Sequence, residues 1–189
     1  MQTLPLFPLS AHLLPGGRLS LRIFEPRYIR MVKEVCAANG TFVVCMLKAD
    51  GDKTLNSHIH SIGTQSRIVD FDVLEDGLLG ITVEGVACVE ISNIQTEDDG
   101  LRIGDCRLIE LWQDTIPQEA IEPMHVRLKE IFEKYPEVNG LYLSPNFEDP
   151  VWVIHRWLEL LPVDTSQKQA FLAQKDCSKV IEFLRQLID

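Results

Sequence analysis

Apolar and polar residues alternate along much of the first 110 positions, and this pattern predicts β-strands. In residues 19–23 three apolar side chains alternate with Ser20 and Arg22, as expected for a strand with one buried face. The continuous apolar run at residues 41–47 predicts a strand that is buried on both faces. Further strands are predicted at residues 4–9, 66–74, 78–84, 87–95 and 101–111.

Proline and turn signals refine these predictions. Pro5 and Pro8 predict that the first strand is an edge strand or an extended arm, because proline cannot donate to a β-ladder. The sequence Glu75-Asp76-Gly77 predicts a hairpin turn, and a slip in apolar parity near Gly104 predicts a β-bulge there. Six or so strands at this spacing predict a small closed or nearly closed barrel.

One helix is predicted between the second and third strands. Pro26 suits a first helical turn, where its missing N–H has no intrahelical partner. An apolar stripe follows from Tyr28 to Cys36 at i, i+3, i+4, i+7 and i+8. Asn39-Gly40 supplies a stop signal, so the helix is expected to end just before it.

All periodic segments after residues 113–117 have the spacing of helices. Asp149 and Asp164 are expected to cap two of them. The pattern therefore predicts an α+β fold in two domains, a β-barrel with one helix over residues 1–113 and an α-helical bundle over residues 114–189. The helices of the second domain are predicted at residues 121–135, 150–161, 165–174 and 177–188.

Composition and charge narrow the function classes. With 46% hydrophobic and 24% charged residues, the chain has the balance of a soluble globular protein. A formal net charge of −10 without a lysine or arginine cluster argues against a broad nucleic-acid or anionic-membrane surface. No apolar run approaches the roughly 20 residues that cross a bilayer, and no signal-peptide pattern is present, so we expect a cytoplasmic protein. The five cysteines lack a Cys-x-x-Cys pair and are predicted to be buried thiols.

Two motifs at the start of the chain are distinctive. Leu4-Pro5-Leu6-Phe7-Pro8-Leu9 is followed by Phe24-Glu25-Pro26-Arg27-Tyr28, and together they resemble the opening of the N-terminal, substrate-binding domain of Lon proteases. The resemblance continues in Ile81-Thr82-Val83-Glu84-Gly85 and in Leu161-Pro162-Val163-Asp164. It therefore extends over nearly the whole chain.

This resemblance implies a PUA-like β-barrel followed by a C-terminal helical bundle, in a domain that engages substrate rather than cutting it. A chain of 189 residues leaves no room for the ATPase and peptidase that Lon carries. It also has no Gly-Lys dipeptide, which excludes a Walker A loop. We therefore expect a free-standing module with no catalytic residues, no cofactor and no metal. Its expected partners are unfolded or client polypeptides, and a separate protease is a candidate partner.

Five residues are candidates for ligand binding. Phe24, Arg27 and Tyr28 lie at the start of the predicted helix, where they can line a pocket for a peptide carboxylate or backbone. The alternative is structural, with Arg27 tying the helix to a strand and Tyr28 opening the buried stripe. Trp152 and Trp157 lie roughly 140° apart around their helix, so at most one can face the main core seam. The other is a candidate anchor for a peptide, unless the core buries both.

The histidines give weaker signals. His58 and His60 flank one residue in a polar segment, but no further ligand lies nearby at matching spacing. An exposed loop is therefore expected there rather than a metal site. His125 and His155 lie on predicted helices with apolar faces, and each is expected to be a hydrogen-bonded histidine in or near the core.

Two function hypotheses of different classes follow. The first is a polypeptide-recognition module that binds apolar segments of unfolded or client proteins in quality control. The second is a PUA-like domain that binds RNA or a small ligand, for which four arginines could form a local patch. Salt dependence separates them, because RNA binding weakens steeply with ionic strength whereas apolar peptide binding barely changes. The four arginines are Arg18, Arg22, Arg27 and Arg30.

Overall fold

The computed structural model describes residues 1–112 and 115–188. Its chain divides into two units, Met1–Ile109 and Glu110–Asp189. The domain boundary predicted between residues 113 and 114 lies outside the described residues. Six strands and one helix belong to the first unit, and the remaining described helices belong to the second.

The strands of the first unit close into a barrel. They are β1 (Gln2–Leu9), β2 (Arg18–Ile23), β3 (Phe42–Leu47), β4 (Ile59–Val73), β5 (Leu79–Thr96) and β6 (Arg102–Leu108). Their order is β2-β5-β4-β3-β1-β6, and a further pairing between β5 and β6 joins the ends of a five-stranded ring. Closure is possible because β5 is 18 residues long, so its first part pairs with β2 and its second part with β6. The predicted α+β class and barrel are confirmed.

The first strand lies inside the sheet, and the prediction of an edge strand or arm is wrong. β1 pairs antiparallel with β6 through Leu6 and parallel with β3 from Leu6 onward. Only Leu6 is paired on both sides, so each half of the strand has one neighbour. Pro5 and Pro8 are therefore tolerated, since each half leaves one side that needs no N–H donor.

The fifth strand corrects one further prediction and confirms another. Residues 78–84 and 87–95 belong to one continuous strand, because Val86 is accommodated as an extra residue between Gly85 and Ala87 opposite β4. The bulge predicted near Gly104 is present in the β5–β6 pairing, where two residues of β5, between Ser92 and Gln95, lie opposite Gly104 alone. Gly104 itself pairs regularly with β1. Both bulges lie in the long strand, which bends as the barrel closes.

Helix α1 (Pro26–Ala37) buries the predicted apolar stripe against the barrel. The Tyr28 and Phe7 rings pack edge to face with centroids 4.2 Å apart. Cys36 is exposed, which corrects the prediction that all five thiols are buried. It lies roughly 80° around the helix from Tyr28, at the margin of the stripe. The helix ends as predicted, with the Gly40 N–H donating to the Val35 carbonyl at 2.8 Å.

Two helices of the second unit begin at the predicted caps. The Asp149 side chain accepts hydrogen bonds from Val151 and Trp152 N–H groups, and Asp164 caps the next helix in the same way. Every residue from Trp152 to Leu158 in the central helix is buried. The helices are α2 (Glu122–Lys134), α3 (Pro136–Asn139), α4 (Pro150–Leu160), α5 (Thr165–Leu172) and α6 (Ser178–Ile188), with a 3₁₀ turn at Gln118–Ile121.

None of these helices could serve as a membrane span. Within residues 1–112 and 115–188, every helix is too short or too polar to cross a bilayer.

Candidate functional site

A cavity of about 380 Å³ opens in the first unit, where several strand ends meet the start of α1. Its walls come from the end of β1, the β2–α1 junction, the end of β3, the segment before β4 and the first residue of β6. Three predicted site residues, Phe24, Arg27 and Tyr28, line it together. The volume falls at the lower end of the range for ligand pockets.

The apolar wall of the cavity is formed around Phe24. Strand alternation turns the Ile23 side chain into the core, where it is 1% exposed, and leaves the Phe24 ring 62% exposed. Pro26 then begins α1 and fixes the direction of the chain after the ring. Leu9 and Leu47 also line the cavity. An exposed aromatic ring beside a concave apolar surface is suited to anchoring an apolar side chain.

Arg27 is held in place by three contacts. Its guanidinium lies 4.7 Å from the Tyr28 ring centroid and donates to Glu25 Oε1 at 2.9 Å and to the Gly100 carbonyl at 3.0 Å. Burial raises the pKa of the Tyr28 hydroxyl, so the phenol stays neutral at physiological pH. Glu25 and Arg27 neutralise each other, and this side of the cavity carries little net charge.

The polar wall of the cavity combines Lys53, His58 and Arg102. Arg102 Nε donates to Asn56 Oδ1 at 2.8 Å, and Arg102 Nη2 donates to the Lys53 carbonyl oxygen at 3.4 Å. Among the described residues, neither Lys53 nor Arg102 forms an ion pair with a carboxylate. Neither positive charge is therefore paired with a carboxylate in the described chain, although Glu25 also lines the cavity and the Asp52 charge acts on His58.

His58 is the most deeply buried polar side chain of this wall. It is 4% exposed, and its Nδ1 has no hydrogen-bond partner within residues 1–112 and 115–188. Burial, assisted by the charges of Arg102 and Lys53, lowers the pKa of the imidazole. The exposed loop predicted for His58 and His60 is wrong. β4 already begins at Ile59, and the Lys48 N–H donates to the His58 carbonyl at 2.7 Å, which draws the segment onto the barrel.

The polar wall has no local signature in the sequence. Lys53 and His58 lie in a polar segment with turn residues, and Arg102 lies one residue after Leu101 in a predicted strand. Nothing in their local pattern distinguishes them from solvated surface charges. Their proximity arises from the β1–β6 and β3–β4 pairings. Only a correct prediction of those pairings would have revealed it.

Trp152 and Trp157 belong to the core of the second unit. They are 9% and 6% exposed. The Trp157 Nε1–H donates to the Met124 carbonyl at 3.0 Å, and its ring lines a separate cavity of about 340 Å³ between α2, α4 and α6. The Trp152 ring centroid lies within 6 Å of three other aromatic centroids, those of Phe132, Tyr142 and Phe147.

The arginines considered as an RNA patch are paired with carboxylates. Arg18 bonds Glu84 at 2.8 Å, Arg22 bonds Asp76, and Arg27 bonds Glu25. Arg30 contacts Glu34, Glu97 and Asp99, and its hydrogen bonds to Asp99 hold the pKa of that carboxyl at about 2. Among the described residues, no group of three or more histidine, cysteine or carboxylate side chains could hold a metal ion.

The sequence matches a family model over residues 3–189, and that model describes the ATP-dependent protease La (LON) substrate-binding domain. A Lon protease from Xanthomonas oryzae pv. oryzae is 23% identical over 98% of this chain and 23% of its own length. A Lon protease from Heliobacterium modesticaldum is 24% identical over 100% of this chain and 24% of its own length. The chain thus spans about a quarter of the length of these relatives.

Two solved structures share the fold. The crystal structure of a Lon N-terminal domain protein from Xanthomonas campestris is 28% identical, covers 100% of both chains and has a TM-score of 0.72. The N-terminal domain of a Mycobacterium avium complex Lon protease has a TM-score of 0.69 over 97% of this chain and 96% of its own. Its sequence identity is 13%, so it supports the fold alone.

Proposed function

The chain belongs to the ATP-dependent protease La (LON) substrate-binding domain family, and from this premise we propose that it is a non-catalytic polypeptide-recognition module. It binds apolar segments of unfolded or client proteins through the cavity of the first unit. Phe24, Arg27 and Tyr28 line the binding site, and Trp152 and Trp157 serve the core of the second unit.

One observation carries this proposal: the exposed Phe24 ring stands at the edge of a cavity with apolar and hydrogen-bonding walls. Polypeptides present both apolar side chains and backbone polar groups, and a site for them needs apolar anchors with nearby donors and acceptors. Large aromatic side chains beside pockets are frequent anchors in protein interfaces. The cavity supplies these features without requiring a chemical step.

The RNA-binding alternative has less support. Its four candidate arginines are each engaged with a carboxylate, so they contribute little net positive potential. A net charge of −10 opposes the approach of a phosphate backbone. Lys53 and Arg102 remain as uncompensated cations, but two charges are few for a nucleic-acid surface.

The same proposal includes the location of the module, the process in which it acts and its partner. We expect a cytoplasmic module that acts in protein quality control, with a protease as a candidate partner. Capture of unfolded segments requires no cofactor and no metal. Binding without cleavage is therefore the expected outcome when the purified chain meets an unfolded polypeptide.

A labelled, permanently unfolded polypeptide titrated with the protein tests the proposal by fluorescence anisotropy. We expect saturable binding at low and high salt with the probe left intact. Phe24→Ser should weaken binding about tenfold to thirtyfold, because it removes an aromatic anchor. The variant should fold normally, since the ring is 62% exposed and contributes little to the core.

Phe71→Ser is the matched control, because Phe71 is 53% exposed on β4 and does not line the cavity. It should leave the affinity unchanged. Equal weakening by both substitutions would remove the cavity from the proposal, and absence of binding to wild-type protein at about millimolar concentration would remove polypeptide recognition. Polypeptide binding that disappears at high salt would contradict recognition of apolar segments, because salt screens contacts between exposed charges and not apolar contacts.

A further inference from the structure

The polar wall of the cavity has more positive charge than its own contacts use. Lys53 and Arg102 lack carboxylate partners among the described residues, whereas Arg22 and Arg27, which also line the cavity, are paired with Asp76 and Glu25. An uncompensated pair of cations in a concave site concentrates positive potential there. A chain with a net charge of −10 therefore retains a local site for an anion.

His58 is a second, independent sign of a ligand. Its side chain lines the cavity, is 4% exposed and leaves Nδ1 buried without a partner in the described chain. Leaving a buried polar atom unsatisfied costs about 1–3 kcal/mol, and such atoms in folded proteins call for an explanation. The Nδ1–H of a neutral imidazole, donated to a bound carboxylate, would satisfy this atom through a hydrogen bond strengthened by the charge of the acceptor.

Phe24 narrows the class of anion. The apolar ring and the cationic wall line one cavity of about 380 Å³, so a ligand that fills it carries an apolar group close to its negative charge. Within a polypeptide, the residue at the carboxyl terminus places an α-carboxylate and an apolar side chain on the same α-carbon. A chain end also fits a small cavity better than an internal segment, whose backbone must leave on both sides.

We infer that Lys53, His58 and Arg102 form a subsite for the α-carboxylate of a polypeptide whose last residue packs its apolar side chain against Phe24. This inference rests on the proposed function and deepens it, because it assigns a preference for apolar carboxyl-terminal ends. Arg27 and Tyr28 then contact the backbone preceding that end. Glu25 stays paired with Arg27 and so does not repel the ligand.

Three labelled peptides of one sequence test this subsite by fluorescence anisotropy. The first ends in phenylalanine with a free carboxylate, and the second ends in the amide of the same residue. The third has the amide end and a glutamate in place of the residue before it. We expect the free acid to bind about tenfold more tightly than either amide, as for a charged hydrogen-bonded contact.

Lys53→Gln should weaken binding of the free acid about threefold and leave binding of the amide unchanged. Lys53 is exposed, so this variant should fold normally. Lys48→Gln is the matched control, because Lys48 is also exposed in the same segment but does not line the cavity. His58→Phe, once its far-UV circular dichroism shows a native fold, should bring the free acid to the affinity of the amide.

Equal affinities for the acid and the amide would overturn the subsite. If the amide peptide with the added glutamate bound as tightly as the free acid, the assignment to a chain end would be overturned. Binding of the permanently unfolded polypeptide without binding of any short peptide would also overturn the inference and leave the proposed function intact. Failure of the proposed function has a different signature, which is loss of binding to the unfolded polypeptide itself.

Discussion

Replacing Trp157 with alanine is expected to lower the free energy of unfolding by about 4 kcal/mol, as is typical of a large aromatic residue removed from a core. The Trp157 side chain is 6% exposed, and its Nε1–H donates to the Met124 carbonyl. The substitution would leave a cavity at the centre of the second unit. Urea denaturation followed by far-UV circular dichroism measures the effect.

Leu160→Ala provides the control within the same helix. Leu160 is 43% exposed, so its truncation should cost less than about 1 kcal/mol. If Trp157→Ala were no more destabilising than Leu160→Ala, Trp157 would not be a core residue. The hypothesis of a tryptophan peptide anchor in α4 would then regain support.

Gly85→Ala is expected to destabilise the first unit by about 3 kcal/mol. An added Cβ at this position would lie 2.4 Å from the Leu14 carbonyl oxygen and 2.9 Å from the Leu14 carbonyl carbon. Both are backbone atoms, so a side-chain rotation cannot relieve the clash. The backbone is also fixed there, because Gly85 exchanges 2.9 Å hydrogen bonds with Gly16 and Gly17. Urea denaturation again measures the loss.

The matched glycine control is Gly40→Ala. The nearest atoms to an added Cβ there are 3.6 and 3.9 Å away, which is ordinary van der Waals contact. Stability should be unchanged or rise by up to about 1 kcal/mol, because alanine restricts the unfolded chain. Equal losses for the two substitutions would show that close packing against Leu14 does not explain the glycine at position 85.

Local signals predicted most of the secondary structure correctly. Helix α1 begins at Pro26 and ends before Asn39-Gly40, and α4 begins after the Asp149 cap. These predictions succeed because caps, prolines and apolar periodicity act over one or two helical turns. The interior position of β1 depends instead on its pairing with β3 and β6, which are distant in sequence. The two prolines indicated an edge strand, and tertiary pairing overrode that local signal.

The candidate site was predictable only where its residues are neighbours in the sequence. Phe24, Arg27 and Tyr28 are neighbours in sequence, so one motif identified them as a group. Lys53 and Arg102 come from separate segments that the barrel brings to one cavity. Their charges alone are typical of solvated loops and turns. What distinguishes them is the lack of carboxylate partners in the described chain, which only the three-dimensional arrangement reveals.

Photo-crosslinking tests most directly whether the cavity of the first unit receives the polypeptide, as we propose. A benzophenone side chain is introduced in place of Phe24 in one protein and in place of Phe71 in another, and each is irradiated with the unfolded polypeptide. We expect crosslinking from position 24 that saturates with polypeptide and is competed by the unlabelled chain, with little from position 71. Equal crosslinking from both positions, or crosslinking from position 71 alone, would contradict the account.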